Sequence, residues 1–275
     1  MSNGLWLALI VAILGLAYWA SNAIPRWRFE RAMARPFPEH WQQTLESLPL
    51  YSRLESSLQT ELRHKVQAFL YRKRFVGCEG LAVTDDMRVT IAAEACLLVI
   101  NRPSTLYRDL KWIYLYPSTF RSKQPERNEI GVVSKPEGSL LGVSWSNGRV
   151  VLAWDSVQRG SADFEDGHNV VLHEFAHQLD QEGGSADGAP LLNSRAAYGV
   201  WSKVLSREFA VLQREVERGH RTLIDSYGAT NPAEFFAVIT ELFYERPGAM
   251  QATHPELYAT LMDYFRVDPR QWHRG

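Results

Sequence analysis

The stretch from residue 170 to residue 180, Val-Val-Leu-His-Glu-Phe-Ala-His-Gln-Leu-Asp, constrains this chain most. It reads as one helix in which His173 and His177, four residues apart, lie about 40° from each other on one face. Neutral imidazoles are preferred ligands of zinc, and a third protein ligand leaves one tetrahedral position open for water. Glu174 then stands beside the metal as an anionic base. The motif predicts one Zn²⁺ per chain in a hydrolytic site.

The setting of the motif favours this interpretation over two unconnected histidines on an ordinary amphipathic helix. A chance His-Glu-x-x-His is expected in roughly one chain of this composition in a hundred. The residues before and inside the motif, among them Val171, Leu172 and Phe175, are apolar, as the helix below an active-site cleft requires.

Three carboxylates are candidates for the third ligand. Glu234 follows Asn231 by three residues, which is also the spacing of a capping box, so its alternative role is to cap a helix. Glu241 lies seven residues further on and shares its face. Asp180, three residues after His177, is placed either to bind the metal or to orient a ligating histidine. Spacing alone does not choose between them.

The first 25 residues contain no Asp, Glu, Lys, Arg or His. Residues 5–24 form about 20 helical positions, or about 30 Å, the thickness of the hydrocarbon core of a bilayer. An excess of positive charge follows, carried by Arg26, Arg28, Arg31 and Arg35. We therefore expect a single-pass anchor at 1–25 in the cytoplasmic (inner) membrane, with the remainder of the chain facing the cytoplasm. A cleaved signal peptide is the alternative, but it lacks a basic n-region.

Composition limits the function further. With 275 residues, of which 45% are hydrophobic, the chain can bury a sizeable core in one large domain or two small ones. A net charge of −1 argues against a direct nucleic-acid binder, which would show a basic excess. Cys78 and Cys96 are too few and too far apart for a disulfide framework, and we expect buried thiols.

Periodicity predicts helices first, then a small sheet, then the metal helix. Asn147-Gly148 between two β-prone runs is a strong hairpin signal. We expect this hairpin either to place an edge strand along the substrate cleft or to serve as scaffold. A basic run of Lys65, Arg72, Lys73 and Arg74 reads as a solvated face, with a surface for an acidic partner as the alternative. Residues 183–188 read as a flexible loop beside the cleft. Helices are predicted at 39–48, 57–75, 87–100 and 194–218, and strands at 112–116, 130–133, 140–145 and 149–154.

Two segments together resemble a known family. His173-Glu-Phe-Ala-His177 and Tyr227-Gly-Ala-Thr-Asn-Pro-Ala-Glu234 are similar to the motifs of the Mlc titration factor A family of zinc-dependent peptidases, which is related to the protease domain of anthrax lethal factor. The resemblance extends from about residue 39 to the C-terminus. It implies that His173, His177 and Glu234 bind zinc, that Glu174 is the base, and that the Tyr227 phenol donates to the oxyanion.

The resemblance implies an α+β, gluzincin-like fold. We expect a transmembrane anchor at 1–25, a basic juxtamembrane linker at 26–38 and a zinc peptidase domain at 39–275. The expected activity is hydrolysis of peptide or protein substrates by a zinc-activated water with Glu174 as general base. The alternative is a membrane-tethered regulatory module that binds a transcription factor, a partner that the resemblance implies. A structural zinc in a closed site, with Asp180 as fourth ligand, is a further alternative.

Overall fold

The computed structural model describes residues 3–102, 106–118, 142–145 and 148–273. Two compact units, Met1–Pro38 and Glu39–Gly275, are distinguished by their internal contacts. This division falls where Pro36-Phe37-Pro38 interrupts the helical pattern, because proline disfavours helix in the residue before it. The functions predicted for the segments 1–25, 26–38 and 39–275 stay predictions.

The first unit contains helix α1 (Asn3–Met33), which includes Pro25 and continues through the basic segment that was expected to be a linker. Arg26 forms an exposed ion pair with Glu30 at 2.9 Å in its later turns. In the part of the chain that the structure describes, no helix is both long enough and apolar enough to cross a bilayer. The predicted anchor at 1–25 is therefore not supported, and the membrane location inferred from it stays a prediction.

The second unit is rich in helices, several of which begin at a side-chain cap. Thr84 accepts a hydrogen bond from the backbone of Met87, and Ser194 accepts one from Ala197. The helices are α2 (Glu39–Ser47), α3 (Pro49–Arg53), α4 (Ser56–Arg72), α5 (Asp85–Leu97), α6 (Trp154–Ala162), α7 (Val170–Gln181), α8 (Arg195–Glu217), α9 (Pro232–Glu245), α10 (Pro247–Thr253) and α11 (Pro255–Phe265). Short 3₁₀ turns lie at Ser226–Ala229 and Pro269–Trp272.

Among the described residues, four strands form a mixed sheet: β1 (Arg74–Gly77), β2 (Trp112–Tyr116), β3 (Gly142–Trp145) and β4 (Arg149–Ala153). Their order is β1-β2-β4-β3. Strands β1, β2 and β4 are parallel to one another. Strand β3 pairs antiparallel with β4, with Val143 opposite Val151. The predicted hairpin is therefore confirmed, and among the strands that the structure describes β3 is the last in the sheet and lies against α7. The strand predicted at 130–133 lies outside the described residues.

The helix predicted at 57–75 is wrong at its end, because α4 stops at Arg72 and strand β1 begins at Arg74. Lys73, expected on a solvated face, is only 4% exposed. Its ammonium donates to the backbone carbonyl oxygens of Tyr107 and Leu110, the latter at 2.7 Å. Burial lowers the pKa of Lys73 to about 8. The long side chain thus turns inward because two carbonyl groups satisfy it there.

Helices α7 and α9 pack against each other in the interior of this unit. Phe175 in α7 lies 4.9 Å, between ring centroids, from Tyr107 and 5.7 Å from Phe69. In α9, every residue from Phe235 to Glu245 is buried. Of the two free cysteines, Cys96 is buried as predicted and Cys78 is partly exposed. The aromatic core therefore holds both helices that carry the motif residues.

Candidate metal centre

Helix α7 begins at a side-chain cap directly before the motif. Asn169, 1% exposed, accepts hydrogen bonds from the backbone N–H groups of Val171 and Leu172, both at 3.0 Å. These bonds satisfy donors that a helix leaves unpaired at its start. The cap fixes the first turn of α7 immediately before the residues that carry the chemistry.

Three side chains converge at one point above α7. His173 and His177 approach each other on one helical face, with ring centroids 4.9 Å apart and Nε2 atoms 3.2 Å apart. The Oε2 atom of Glu234 lies 3.0 Å from Nε2 of His173 and 3.3 Å from Nε2 of His177. One donor atom from each residue thus falls within 4.8 Å of the other two. Two imidazole nitrogens and one carboxylate oxygen are a donor set that can hold a metal ion.

Glu234 fills both roles that its position in the sequence suggested. Asn231 accepts a hydrogen bond from the backbone N–H of Glu234 at 3.0 Å, and Pro232 occupies the first helical position of α9. The cap uses only the backbone, so the Glu234 carboxylate is free to face the imidazoles. Burial would raise the pKa of Glu234, but hydrogen bonds and charge from His173 and His177 hold it well below its ordinary value. The carboxylate therefore stays ionised at this point.

Glu174 lies beside the two imidazoles and is 4% exposed. Burial raises the pKa of this carboxyl to about 7, although the neighbouring His173 and His177 act in the opposite direction. Its Oε2 atom has no hydrogen-bond partner among the residues that the structure describes. A buried carboxylate with a free oxygen and a pKa near neutrality has the properties of a general base.

Tyr227 lies in the 3₁₀ turn before α9 and is 54% exposed. Asp225 accepts a hydrogen bond from its backbone N–H at 2.7 Å, which fixes the turn. The phenol ring lies 6.0 Å from the His173 ring, between centroids. Burial of part of the ring, and then the charges of Glu234 and Glu174, raise the pKa of the hydroxyl to about 12. Tyr227 therefore keeps its phenolic proton and offers a donor near Glu234 and Glu174.

The two rival carboxylates do not join the donor group. Oε1 of Glu241 accepts from Nδ1 of His173 at 2.7 Å, on the far side of the ring from Glu234. Burial lowers the pKa of His173, but the charge of Glu241, with hydrogen bonds to Glu234 and Glu241, outweighs burial and holds it well above its ordinary value. Asp180 is fully buried and accepts from the backbone N–H of Gly188 at 2.8 Å. Among the described residues, the donor atoms that lie within 4.8 Å of one another come from His173, His177 and Glu234, so Asp180 is not placed as a fourth ligand.

The loop at 183–188, expected to be flexible, is held at its end. Besides its bond to Asp180, Gly188 accepts a hydrogen bond from the indole N–H of Trp201 at 2.9 Å. Gly188 has a φ of +79°, and a Cβ atom there would lie 2.4 Å from the carbonyl oxygen of Pro232. Only glycine fits this close approach. The loop is therefore packed against the first turn of α9, two residues before Glu234.

Two residues of this region were not anticipated from the sequence. Asn169 stands directly before the motif, and its cap was recognisable as Asn followed by an apolar helix. Glu245 is 1% exposed in α9 and accepts from the backbone N–H of Gly167 at 2.9 Å. The sequence feature that could have identified Glu245 is its position, four residues after Glu241 in an otherwise apolar helix.

Comparison with known proteins identifies the family of this chain. The model of the family described as glucose-regulated metallo-peptidase M90 matches residues 24–266. An uncharacterized protein of Synechocystis sp. is 38% identical over 265 residues, which covers 96% of this chain and 94% of the relative. The Mlc titration factor A of Pectobacterium atrosepticum is 32% identical over 234 residues, covering 84% and 87%, and that of Yersinia pestis is 30% identical over 246 residues, covering 88% and 89%. The resemblance to the Mlc titration factor A family is thus confirmed, and the chain belongs to the glucose-regulated metallo-peptidase M90 family.

Proposed function

We propose that this protein is a zinc-dependent peptidase that hydrolyses peptide bonds, with His173, His177 and Glu234 as zinc ligands and Glu174 as general base. The observation that carries the proposal is the convergence of the three donor atoms beside a buried carboxylate. The family membership supports the same reaction class.

The spacing of the donor atoms supports zinc. Ligand atoms about 2.0 to 2.1 Å from a tetrahedral zinc lie about 3.3 Å from one another. The three observed separations are 3.0, 3.2 and 3.3 Å. Magnesium and calcium prefer oxygen ligands, so a pair of imidazoles favours zinc over them.

In this proposal, different side chains of the site have different roles in hydrolysis. When bound, zinc supplies Lewis-acid polarisation of the scissile carbonyl and lowers the pKa of water to about 7. Glu174 takes the proton from the attacking water and passes it to the leaving amine, which suits a carboxyl whose pKa lies near 7. Tyr227 donates its phenolic proton in a hydrogen bond to the developing oxyanion.

Strand β3 is a suitable place for an extended substrate. Among the described strands it is the last in the sheet, and it lies against α7, so a peptide added alongside it would pass the helix that carries His173 and His177. Main-chain hydrogen bonds to such an edge bind a peptide without selecting a particular side chain.

The test is zinc analysis of the purified protein together with cleavage of a mixed peptide library by wild type and Glu174→Gln. The amide has nearly the shape of the carboxylate but cannot serve as the base. We expect one zinc per chain in both proteins and cleavage only by the wild type. Cleavage by Glu174→Gln at close to the wild-type rate would show that the assigned base is wrong.

A second candidate function rests on the names of the relatives. Proteins that are 30 and 32% identical over most of this chain are Mlc titration factors. We propose as the alternative that this chain binds a transcription factor and that peptidase activity is secondary. Pull-down of purified Mlc with Glu174→Gln separates the two functions, because a binding module retains its partner when hydrolysis is abolished. No retention of Mlc by either protein would exclude this alternative.

A further inference from the structure

Glu241 links a proposed zinc ligand to the start of the metal helix. It is 7% exposed, and it uses both carboxylate oxygens. Oε1 accepts from Nδ1 of His173 at 2.7 Å, and Oε2 accepts from the backbone N–H of Asn169 at 2.6 Å. We propose that Glu241 is the positioning residue of the zinc site, which fixes the tautomer and ring orientation of His173. This inference rests on the proposed function, since it concerns how that site holds its metal.

The tautomer follows from the partner at Nδ1. A neutral imidazole carries one N–H, and its other nitrogen offers the lone pair that binds a metal. A carboxylate accepts only, so Glu241 keeps the proton of His173 on Nδ1. The lone pair is then on Nε2, the atom that faces Glu234 at 3.0 Å and His177 at 3.2 Å. Glu241 thus directs the coordinating nitrogen towards the other ligands.

The second carboxylate oxygen of Glu241 connects the His173 ring to the start of α7. Asn169 caps α7 with its side chain and donates its own backbone N–H to Glu241. The same carboxylate therefore holds the start of α7 and a side chain one turn into it. Any displacement of His173 relative to the helix start would lengthen one of these two short bonds.

A carboxylate is required because both partners are N–H donors. Glutamine has a single acceptor oxygen, and its other terminus is an NH₂ donor. In Glu241→Gln, one of the two partners must therefore face a donor. If the NH₂ group faces His173, it favours the tautomer with the proton on Nε2, which leaves no lone pair on the nitrogen that faces the other two ligands. Aspartate keeps two acceptor oxygens on a side chain shorter by one CH₂.

Glu245 offers a matched control on the same helix. It lies one turn after Glu241, is 1% exposed, and accepts from the backbone N–H of Gly167. Glu245 thus holds the segment just before α7, as Glu241 does, but it makes this contact to the backbone and not to a proposed metal ligand. A glutamine can keep that bond, because a single acceptor is sufficient.

The experiment measures the dissociation constant for Zn²⁺ by titration against a competing chelator, for wild type, Glu241→Gln, Glu241→Asp and Glu245→Gln. Circular dichroism verifies that each variant is folded. We expect Zn²⁺ binding to weaken about 10- to 100-fold in Glu241→Gln, to recover in part in Glu241→Asp, and to stay within about twofold of wild type in Glu245→Gln. Wild-type affinity in Glu241→Gln, or an equal loss in Glu245→Gln, would overturn the proposal.

A second measurement reads the tautomer directly and does not depend on the glutamine variant folding. Nitrogen-15 NMR of the zinc-loaded wild type should show the proton of His173 on Nδ1 and the metal on Nε2. The reverse assignment would refute the role of Glu241. Wild type that binds Zn²⁺ as expected but cleaves no peptide would contradict the proposed function alone. Wild type that cleaves peptides while Glu241→Gln retains full Zn²⁺ affinity would contradict this inference alone.

Discussion

Replacing Gly188 by alanine tests whether the loop after α7 positions Glu234. Gly188 has a φ of +79°, and the added Cβ would lie 2.4 Å from the oxygen and 2.8 Å from the carbon of the Pro232 carbonyl. Both atoms are backbone, so relief requires the loop or the first turn of α9 to move. Pro232 opens the helix that carries Glu234, two residues later. We therefore expect both stability and zinc binding to decline.

Gly80 supplies the control that separates backbone strain from the contact. It has the same φ of +79°, but a Cβ there meets nothing within 4 Å. Left-handed backbone costs a non-glycine residue about 1 kcal/mol, and overpacking of the kind at Gly188 adds about 2 to 3 kcal/mol. At about 3 °C per kcal/mol for a domain of this size, Gly80→Ala should lower Tm by about 3 °C and Gly188→Ala by about 10 °C.

Differential scanning calorimetry measures Tm, and a chelator-competition titration measures zinc affinity in the same samples. Gly80→Ala should bind zinc like the wild type, because it lies in the turn after β1 and not beside α9. Equal losses of Tm in the two variants would show that the Pro232 contact is readily relieved. A large loss of Tm in Gly188→Ala with unchanged zinc affinity would show that the loop does not position Glu234.

Three further predictions concern single carboxylates. Glu174→Gln should keep its zinc and lose about 10²- to 10⁴-fold in turnover, measured by peptide cleavage and metal analysis. Glu234→Ala should lose its bound zinc, measured by metal analysis. Full retention of zinc in this variant would show that the third ligand is Glu241 or Asp180 and not Glu234. Burial raises the pKa of Glu245 to about 9, so the folded protein holds a proton that the unfolded chain releases above about pH 4.5. Stability relative to Glu245→Gln should therefore fall as pH rises from about 4.5 to 9, measured by urea unfolding; a rise would contradict this ionisation state.

The parts of the structure that were predictable from the sequence depend on short-range signals. The metal helix, the hairpin around Gly148 and the cap at Asn231 each follow from residues within a few positions of one another. Helical spacing also placed His173 and His177 on one face, since that follows from the pitch of the helix alone.

The parts that were not predictable depend on contacts between distant segments. Glu234 and Glu241 lie on the same helix. The packing of α9 on α7 decides that Glu234 faces Nε2 of His173 and that Glu241 faces Nδ1. Lys73 is buried because carbonyl groups more than 30 residues later accept from it. Local patterns carry no information about such partners.

The aromatic contact at Phe175 has a consequence for natural variation in this protein. Phe175 stands between the two histidines in the sequence and packs on Tyr107 and Phe69. Those two residues lie more than 60 positions before His173 in the chain. A smaller side chain at Tyr107 or Phe69 would leave space beside Phe175, and we expect α7 to shift towards it. Exchanges at such interior positions should therefore change the metal affinity of the proposed site even where His173, His177 and Glu234 are kept.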